Sequence, residues 1–257
     1  MTENKNGARA GQVALVIGGS GAIGAAIVLR LAAEGMDVAF TYRSNSDKAA
    51  ALVSEVEALG RKAMSASIEI ENSDDIAAFV AQVIEQHGRL DTLVYAAGPP
   101  FELQFVAKTA PSEWSRVLDS DVKGCFNSIH AALPHLREAK GVVVAVTAAA
   151  VERAIARDIL SLAPKAAITA LIRGIAFEEG RFGVRAVCVA PGYISGGIGQ
   201  AIMDAVGEEV TASLINAVPL RRVGSAEEVA DVVEFACSQR ASYVTGTTLF
   251  VSGGMEL

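Results

Sequence analysis

Gln12-Val-Ala-Leu-Val-Ile-Gly-Gly-Ser-Gly-Ala-Ile-Gly-Ala-Ala-Ile-Val-Leu-Arg-Leu-Ala-Ala-Glu-Gly35 decides the fold, because it reads as a buried strand, a glycine-rich turn and a helix without a break. Residues 12–17 are almost wholly apolar, as a strand in a parallel sheet covered on both faces must be. Gly18, Gly19, Gly21 and Gly24 let the backbone bend sharply and bring amide N–H groups up to a pyrophosphate. The Ala/Leu-rich helix from Ala25 to Ala33 adds partial positive charge at its N-terminus and stops near Gly35. The stretch is a candidate nucleotide site. Ala10 to Leu29 carries no charge, and such a window also occurs in membrane spans and signal peptides. The Gly-Gly-Ser-Gly break, and the repetition of strand, turn and helix downstream, argue against both.

That rhythm continues through a strand at Asp37–Tyr42, a helix at Asn45–Gly60 and a strand at Lys62–Ser67. Ser73-Asp-Asp75 reads as the cap of a helix to His87, and Leu90–Tyr95 as the fourth strand. A long helix is expected from Pro111 to about His135, then a strand at Gly141–Thr147, a helix from about Ser161 to Arg181 and a strand at Val184–Val189. Pro191-Gly192 opens a loop with Gly196, Gly197 and Gly199, suited to closing over a ligand. Ser225-Ala-Glu-Glu228 is a capping box before a helix to Ser238, and Thr247–Val251 completes the sheet. With 257 residues and no repeat or linker, the pattern predicts one Rossmann-like, doubly wound α/β domain of seven parallel strands with helices on both faces. Residues 1–10 read as a flexible N-terminus. Ligands then belong at the carboxyl ends of the strands.

A formal net charge of -7 disfavours nucleic acid and anionic membrane as partners. Cys125, Cys188 and Cys237 are odd in number and scattered, which fits reduced thiols in a cytoplasmic protein better than a disulfide framework. His87, His130 and His135 have no zinc-like spacing to a cysteine, so no metal is expected.

Several motifs in order make the chain resemble a short-chain dehydrogenase/reductase of the compact, classical type, near the β-ketoacyl-carrier-protein reductases. Gly18 to Gly24 corresponds to the cofactor loop, with Ala22 where a glycine is usual. Tyr95-Ala-Ala-Gly98 stands where the family has Asn-Asn-Ala-Gly, and Pro191-Gly-Tyr-Ile194 matches its Pro-Gly-x-Ile. Tyr243-Val-Thr-Gly246 and Val251-Ser-Gly-Gly254 resemble its C-terminal signature. The resemblance implies cofactor contacts from Gly18, Ser20, Gly21, Ile23, Ala96, Gly98, Lys165, Pro191, Gly192 and Ile194, and adenine contacts from Glu69 and Ile70. Arg43, about twenty residues beyond the glycine loop, stands where an acid would select NAD(H), so a guanidinium there favours NADP(H). The family also implies a symmetric dimer or tetramer built on its two central helices. Leu118, Val122, Phe126 and Ile129, with Leu162, Ala166 and Ala170, have the apolar spacing for such pairing or for packing on the sheet.

The reaction centre departs from the family. Lys165 is present, but Ser161 stands four residues before it in place of tyrosine, Ala148 replaces the serine, and Asp121 occupies the asparagine position. No tyrosine lies between Tyr95 and Tyr193 to supply the missing phenol. Three functions remain open: an NADPH-dependent reductase of an activated carbonyl, quinone or enone with another proton source, a non-redox isomerase, dehydratase or cyclase, or an inactive nucleotide-binding subunit. For the first, Thr147, Arg153, Arg157, Asp158, Tyr193 or a hydroxyl of the substrate are candidate proton donors. For the second, Asp121 or Asp158 is a candidate base. Phe101, Leu103, Phe105, Ile155, Ile159 and Ile198 point to a small hydrophobic or polycyclic substrate.

Overall fold

The computed structural model describes residues 9–257, so most of the expected flexible N-terminus lies outside the described residues. Seven strands form one parallel sheet: β1 Val13–Ile17, β2 Asp37–Tyr42, β3 Ala63–Ser67, β4 Thr92–Tyr95, β5 Val142–Val146, β6 Arg185–Pro191 and β7 Thr248–Val251. Their order is β3-β2-β1-β4-β5-β6-β7, so the winding reverses between β1 and β4. A crevice at the carboxyl ends of the strands opens at that reversal. The central strands β1, β4 and β5 are buried throughout, as their unbroken apolar sequences require.

Two cores sandwich the sheet. On one face α1 (Ala22–Ala33), α2 (Ser46–Ala58) and α9 (Ala226–Cys237) bury Ile27, Leu31, Leu52, Val229 and Val233 against Val16, Phe40 and Val144. On the other, α3 (Ser73–His87), α5 (Gly124–Ala139) and α6 (Ile159–Glu179) bury Phe79, Ile129, Ile168 and Ile172 against Leu15, Leu93 and Val143. Each alternate side chain of a strand thus meets a helix, and the hydrophobic effect fixes the sheet's register from both sides.

The structure revises three expectations. Asn72, not Ser73, caps α3, its side chain accepting from the Asp74 amide at 3.0 Å. The helix expected from Pro111 to His135 is broken: α4 (Pro111–Leu118) passes into one π-helical turn, Asp119–Lys123, before α5 runs on to Ala139. The expected loop after Pro191-Gly192 folds instead into α7 (Gly197–Val206) and α8 (Glu208–Ala217), separated by Gly207 at φ 84°. Gly196 and Gly197, at φ 83° and 58°, make the turn into α7, a backbone conformation that a Cβ would strain. Of the two uses left open for the apolar spacing, Ile129 takes the sheet side, whereas Phe126 is 52% exposed. The capping box forms as expected, with the Ser225 hydroxyl accepting from the Glu228 amide and the Glu228 carboxylate from the Ser225 amide.

By length and composition one helical stretch among the described residues, Ile159–Phe182, has the mean hydropathy of a membrane span, 1.5. Its apolar content is used on the sheet side by Ile168, Ile172 and Ile175.

Candidate active site

The turn between β1 and α1 is built by its glycines. Gly18, at φ 80°, donates its N–H to the Thr41 hydroxyl at 3.0 Å, and an added Cβ would lie 2.8 Å from the Ala97 Cα. A Cβ on Gly24 would stand 2.2 Å from the Gly18 carbonyl oxygen, so the helix can approach the turn only as glycine. Gly21 caps α1 without a side-chain hydrogen bond, and the first turn carries no acid. Its amide N–H groups therefore remain available to an anion, and the turn fits a pyrophosphate.

The other expected cofactor residues gather along the same edge. Ser20 and Ile23 are half-buried in the turn. Arg43 follows β2, exposed, and among the described residues its guanidinium makes no ion pair; its carbonyl accepts from the Ser67 hydroxyl at 2.8 Å. Glu69 is exposed beyond β3, while Ile70 packs so closely on α5 that a Cβ on Gly124 would lie 2.7 Å from it. Ala96 and exposed Gly98 follow β4, the Ala96 amide donating to the Ile17 carbonyl. At the end of β6, Pro191 and Gly192 line a cavity, and Ile194 is buried beside Gly224.

That cavity, about 190 Å³, exceeds the roughly 150 Å³ known to admit a benzene ring. Lys165 and Asp121 lie in it together. The π turn carries Asp121 inward, where its carboxylate accepts from the Lys165 ammonium at 3.0 Å. Lys165 also donates to the Ala97 carbonyl at 3.0 Å. The hydroxyl of fully buried Tyr95 donates to Asp121 from below, 3.1 Å from Oδ1 and 2.9 Å from its backbone oxygen. Burial and the Asp121 charge push the Tyr95 phenol well above its usual pKa, so it serves as a hydrogen-bond donor and not as an acid. The lysine charge is thus balanced by a buried carboxylate, with Lys165 itself half-buried.

Ser161 and Ala148 line the cavity beside this pair. Tyr193 lines it too, its pKa raised first by burial and then by the negative charge of Asp158. Thr147 is turned away: its hydroxyl lies 3.5 Å from the Val189 carbonyl, and it is not among the described residues lining the cavity. Phe101, Leu103 and Ile155 form apolar wall as expected, but Ile159 does not, and Phe105 is exposed beneath the Arg157 guanidinium. The side chain of Ile198 lies outside the described residues. Asp158, one of the candidate donors, lines the cavity. One contributor carries little sequence signal: Tyr95 reads as a strand residue.

The sequence profile of the family described as Enoyl-(Acyl carrier protein) reductase matches residues 18–256. The chain is 33% identical over 245 residues to a 3-oxoacyl-[acyl-carrier-protein] reductase of Staphylococcus aureus, covering 95% of this chain and 98% of that protein. A solved short-chain dehydrogenase/reductase from Serratia marcescens superposes with a TM-score of 0.90 at 30% identity, covering 97% of this chain and 99% of the other. A blue fluorescent protein from a metagenomic library, solved in complex with NADPH, gives 0.88 at 34% identity over 96% of this chain and 98% of its own. With the parallel sheet, the glycine turn and Lys165 at the strand ends, these matches make the chain a member of the short-chain dehydrogenase/reductase family, with a nicotinamide-cofactor-binding fold.

Proposed function

We propose that the protein is an NADP(H)-dependent reductase of an activated carbonyl, a quinone or a conjugated enone, working without the tyrosine and serine that its family resemblance would supply. The observation behind this reading is the cavity floor, where Lys165 is in place but a methyl group stands at 148 and a short hydroxymethyl at 161. When bound, the cofactor supplies a hydride. Lys165 would hold its nicotinamide ribose, and the apolar wall would exclude water from the acceptor. An acceptor that spreads the developing negative charge over a conjugated system requires less help from an acid. The cytoplasm is the proposed location, in keeping with three buried free thiols.

Arg43 tests the cofactor assignment. Its guanidinium would pair with the 2′-phosphate, a charge-assisted contact worth about 1.5–3 kcal/mol, and solvent exposure places it at the lower end. Arg43→Ala should therefore weaken NADPH binding about tenfold, with NADH little changed, as read by calorimetric titration. Equal affinity of the unaltered protein for the two cofactors would end the NADP(H) assignment.

The assembly belongs to the same proposal. Phe126 stacks on His130 with ring centroids 5.8 Å apart, Phe177 is 91% exposed, and Leu171 and Gly174 line a shallow groove between α5 and α6. A second copy of the chain covers this face, giving a dimer or tetramer. Light scattering at micromolar concentration should show a multiple of the chain mass, and a monomer would contradict it.

A further inference from the structure

We infer that Asp158 is the proton donor of this reductase, giving its carboxyl proton to the substrate oxygen as hydride reaches the carbonyl carbon. The inference rests on the reductase reading and names the acid which that reading leaves open. Asp158 lines the same cavity as Lys165 and Ser161, and its side chain is buried. Among the described residues no cation pairs with it, whereas the Asp121 carboxylate is matched by Lys165. A buried carboxyl with no counter-charge is costly unless it holds a proton for part of the time.

The backbone sets the group in place. Arg157 sits in the left-handed region at φ 72°, which strains a non-glycine residue by on the order of 1 kcal/mol or more. Two contacts hold it there: the Gln104 amide donates to the Arg157 carbonyl at 2.9 Å, and the Arg157 guanidinium to the Leu103 carbonyl at 3.1 Å. Asp158 thereby pairs with Gln104 as an isolated bridge and enters α6 as its N-cap residue, yet its side chain makes no capping bond. The carboxyl is freed from the usual structural task of an aspartate at a helix start.

The charged and titratable neighbours leave it in this state. Across the cavity, Tyr193 comes from the segment after β6, and Lys165 and Asp121 are engaged with each other. On its own loop Arg153 bonds the Met255 and Leu257 carbonyls, Arg157 bonds Leu103, and Glu152 is exposed. Glu102 on the facing loop is exposed as well. Burial dominates and pushes the Asp158 carboxyl up to about 6, against a smaller lowering by the Ser161 hydroxyl. About one molecule in ten then carries the proton at pH 7.

The step balances. The carbonyl carbon gains the hydride, the C–O π pair moves onto oxygen, and that oxygen takes the proton from Asp158. The alcohol, the oxidised cofactor and an Asp158 carboxylate result, and water at the open side of the cavity returns the proton.

The test measures kcat/KM against pH for NADPH with an aryl α-diketone, whose alkoxide product needs a proton, and with the quinone menadione, whose product anion is delocalised. With the diketone, kcat/KM of the unaltered protein should fall tenfold per pH unit above about 6. Asp158→Asn should lower the diketone rate below pH 6 by about 10² or more and abolish that limb, while menadione reduction changes less than about fivefold. Asp158→Glu should retain the limb. NADPH titration of each variant reports folding independently. Diketone turnover that survives Asp158→Asn within about tenfold, or keeps its pH limb, overturns the assignment and leaves the reductase reading standing. No turnover of either acceptor by the unaltered protein with NADPH bound overturns both.

Discussion

Lys165→Ala should lower the melting temperature by about 6–12 °C and reduce NADPH affinity and turnover together. In the Lys165–Asp121 pair Asp121 is buried and Lys165 half-buried, with side-chain exposures of 3% and 12%. Removing one member of such a pair leaves an uncompensated charge and costs about 3–5 kcal/mol. Tyr95 continues to donate to the stranded carboxylate, which places the loss near the lower bound. For a chain of this size about 3 kcal/mol corresponds to the stated shift. The double variant Lys165→Met/Asp121→Leu should recover most of the stability, since a matched apolar pair of similar volume removes the stranded charge, but none of the cofactor affinity. Calorimetry on the three proteins checks this. A shift below about 2 °C for Lys165→Ala would mean that the ammonium does not hold Asp121.

The second large effect concerns the acceptor. At pH 8, where about one Asp158 carboxyl in a hundred holds its proton, unactivated dialkyl ketones should be reduced with kcat/KM at least about 10²-fold below quinones or conjugated enones, whose delocalised product anions do not need that proton. Lys165 does not lower the pKa of any phenol in this cavity, because Tyr193 is shifted upward and Tyr95 is buried under Asp121. Ser161 is also too short, falling roughly 5 Å inside a phenol's reach, when a misplacement of about 1 Å can already cost 10²-fold. Aryl ketones with a neighbouring hydroxyl should rank with the activated substrates, because they protonate their own alkoxide. Comparable rates across the panel at that pH, followed by NADPH oxidation, would show an efficient acid other than Asp158.

What the sequence revealed, and what it concealed, divides along physical lines. Strand identity was legible because buried parallel strands such as Val142–Val146 are continuous apolar runs, and the cradle because glycines at 18, 21 and 24 have few other uses in that order. The capping box at Ser225 was legible because both of its partners lie within four residues. The π turn at Asp119–Lys123 was not, since a single widened turn leaves the apolar spacing of α4 and α5 nearly unchanged. The family resemblance put Asp121 and Lys165 in one reaction centre, but not their direct ion pair or the Tyr95 hydroxyl beneath them. The helices α7 and α8 were hidden by glycines that read as loop but that serve, at Gly196 and Gly207, as helix entry and break. Asp158 was one of several candidate acids and bases in a polar loop, and the bridge to Gln104 at the cavity is what singles it out.

The central claim is that hydride transfer here proceeds without a hydroxyl acid at the position before Lys165. Ser161→Ala, assayed with the best acceptor of the panel under NADPH saturation, tests it most directly. Turnover should stay within about tenfold of the unaltered protein, and with an α-diketone the falling pH limb should move slightly upward, because the Ser161 hydroxyl that favours the Asp158 carboxylate is gone. A loss above about 10²-fold, with NADPH still bound, would show that Ser161 itself delivers the proton and would contradict the account.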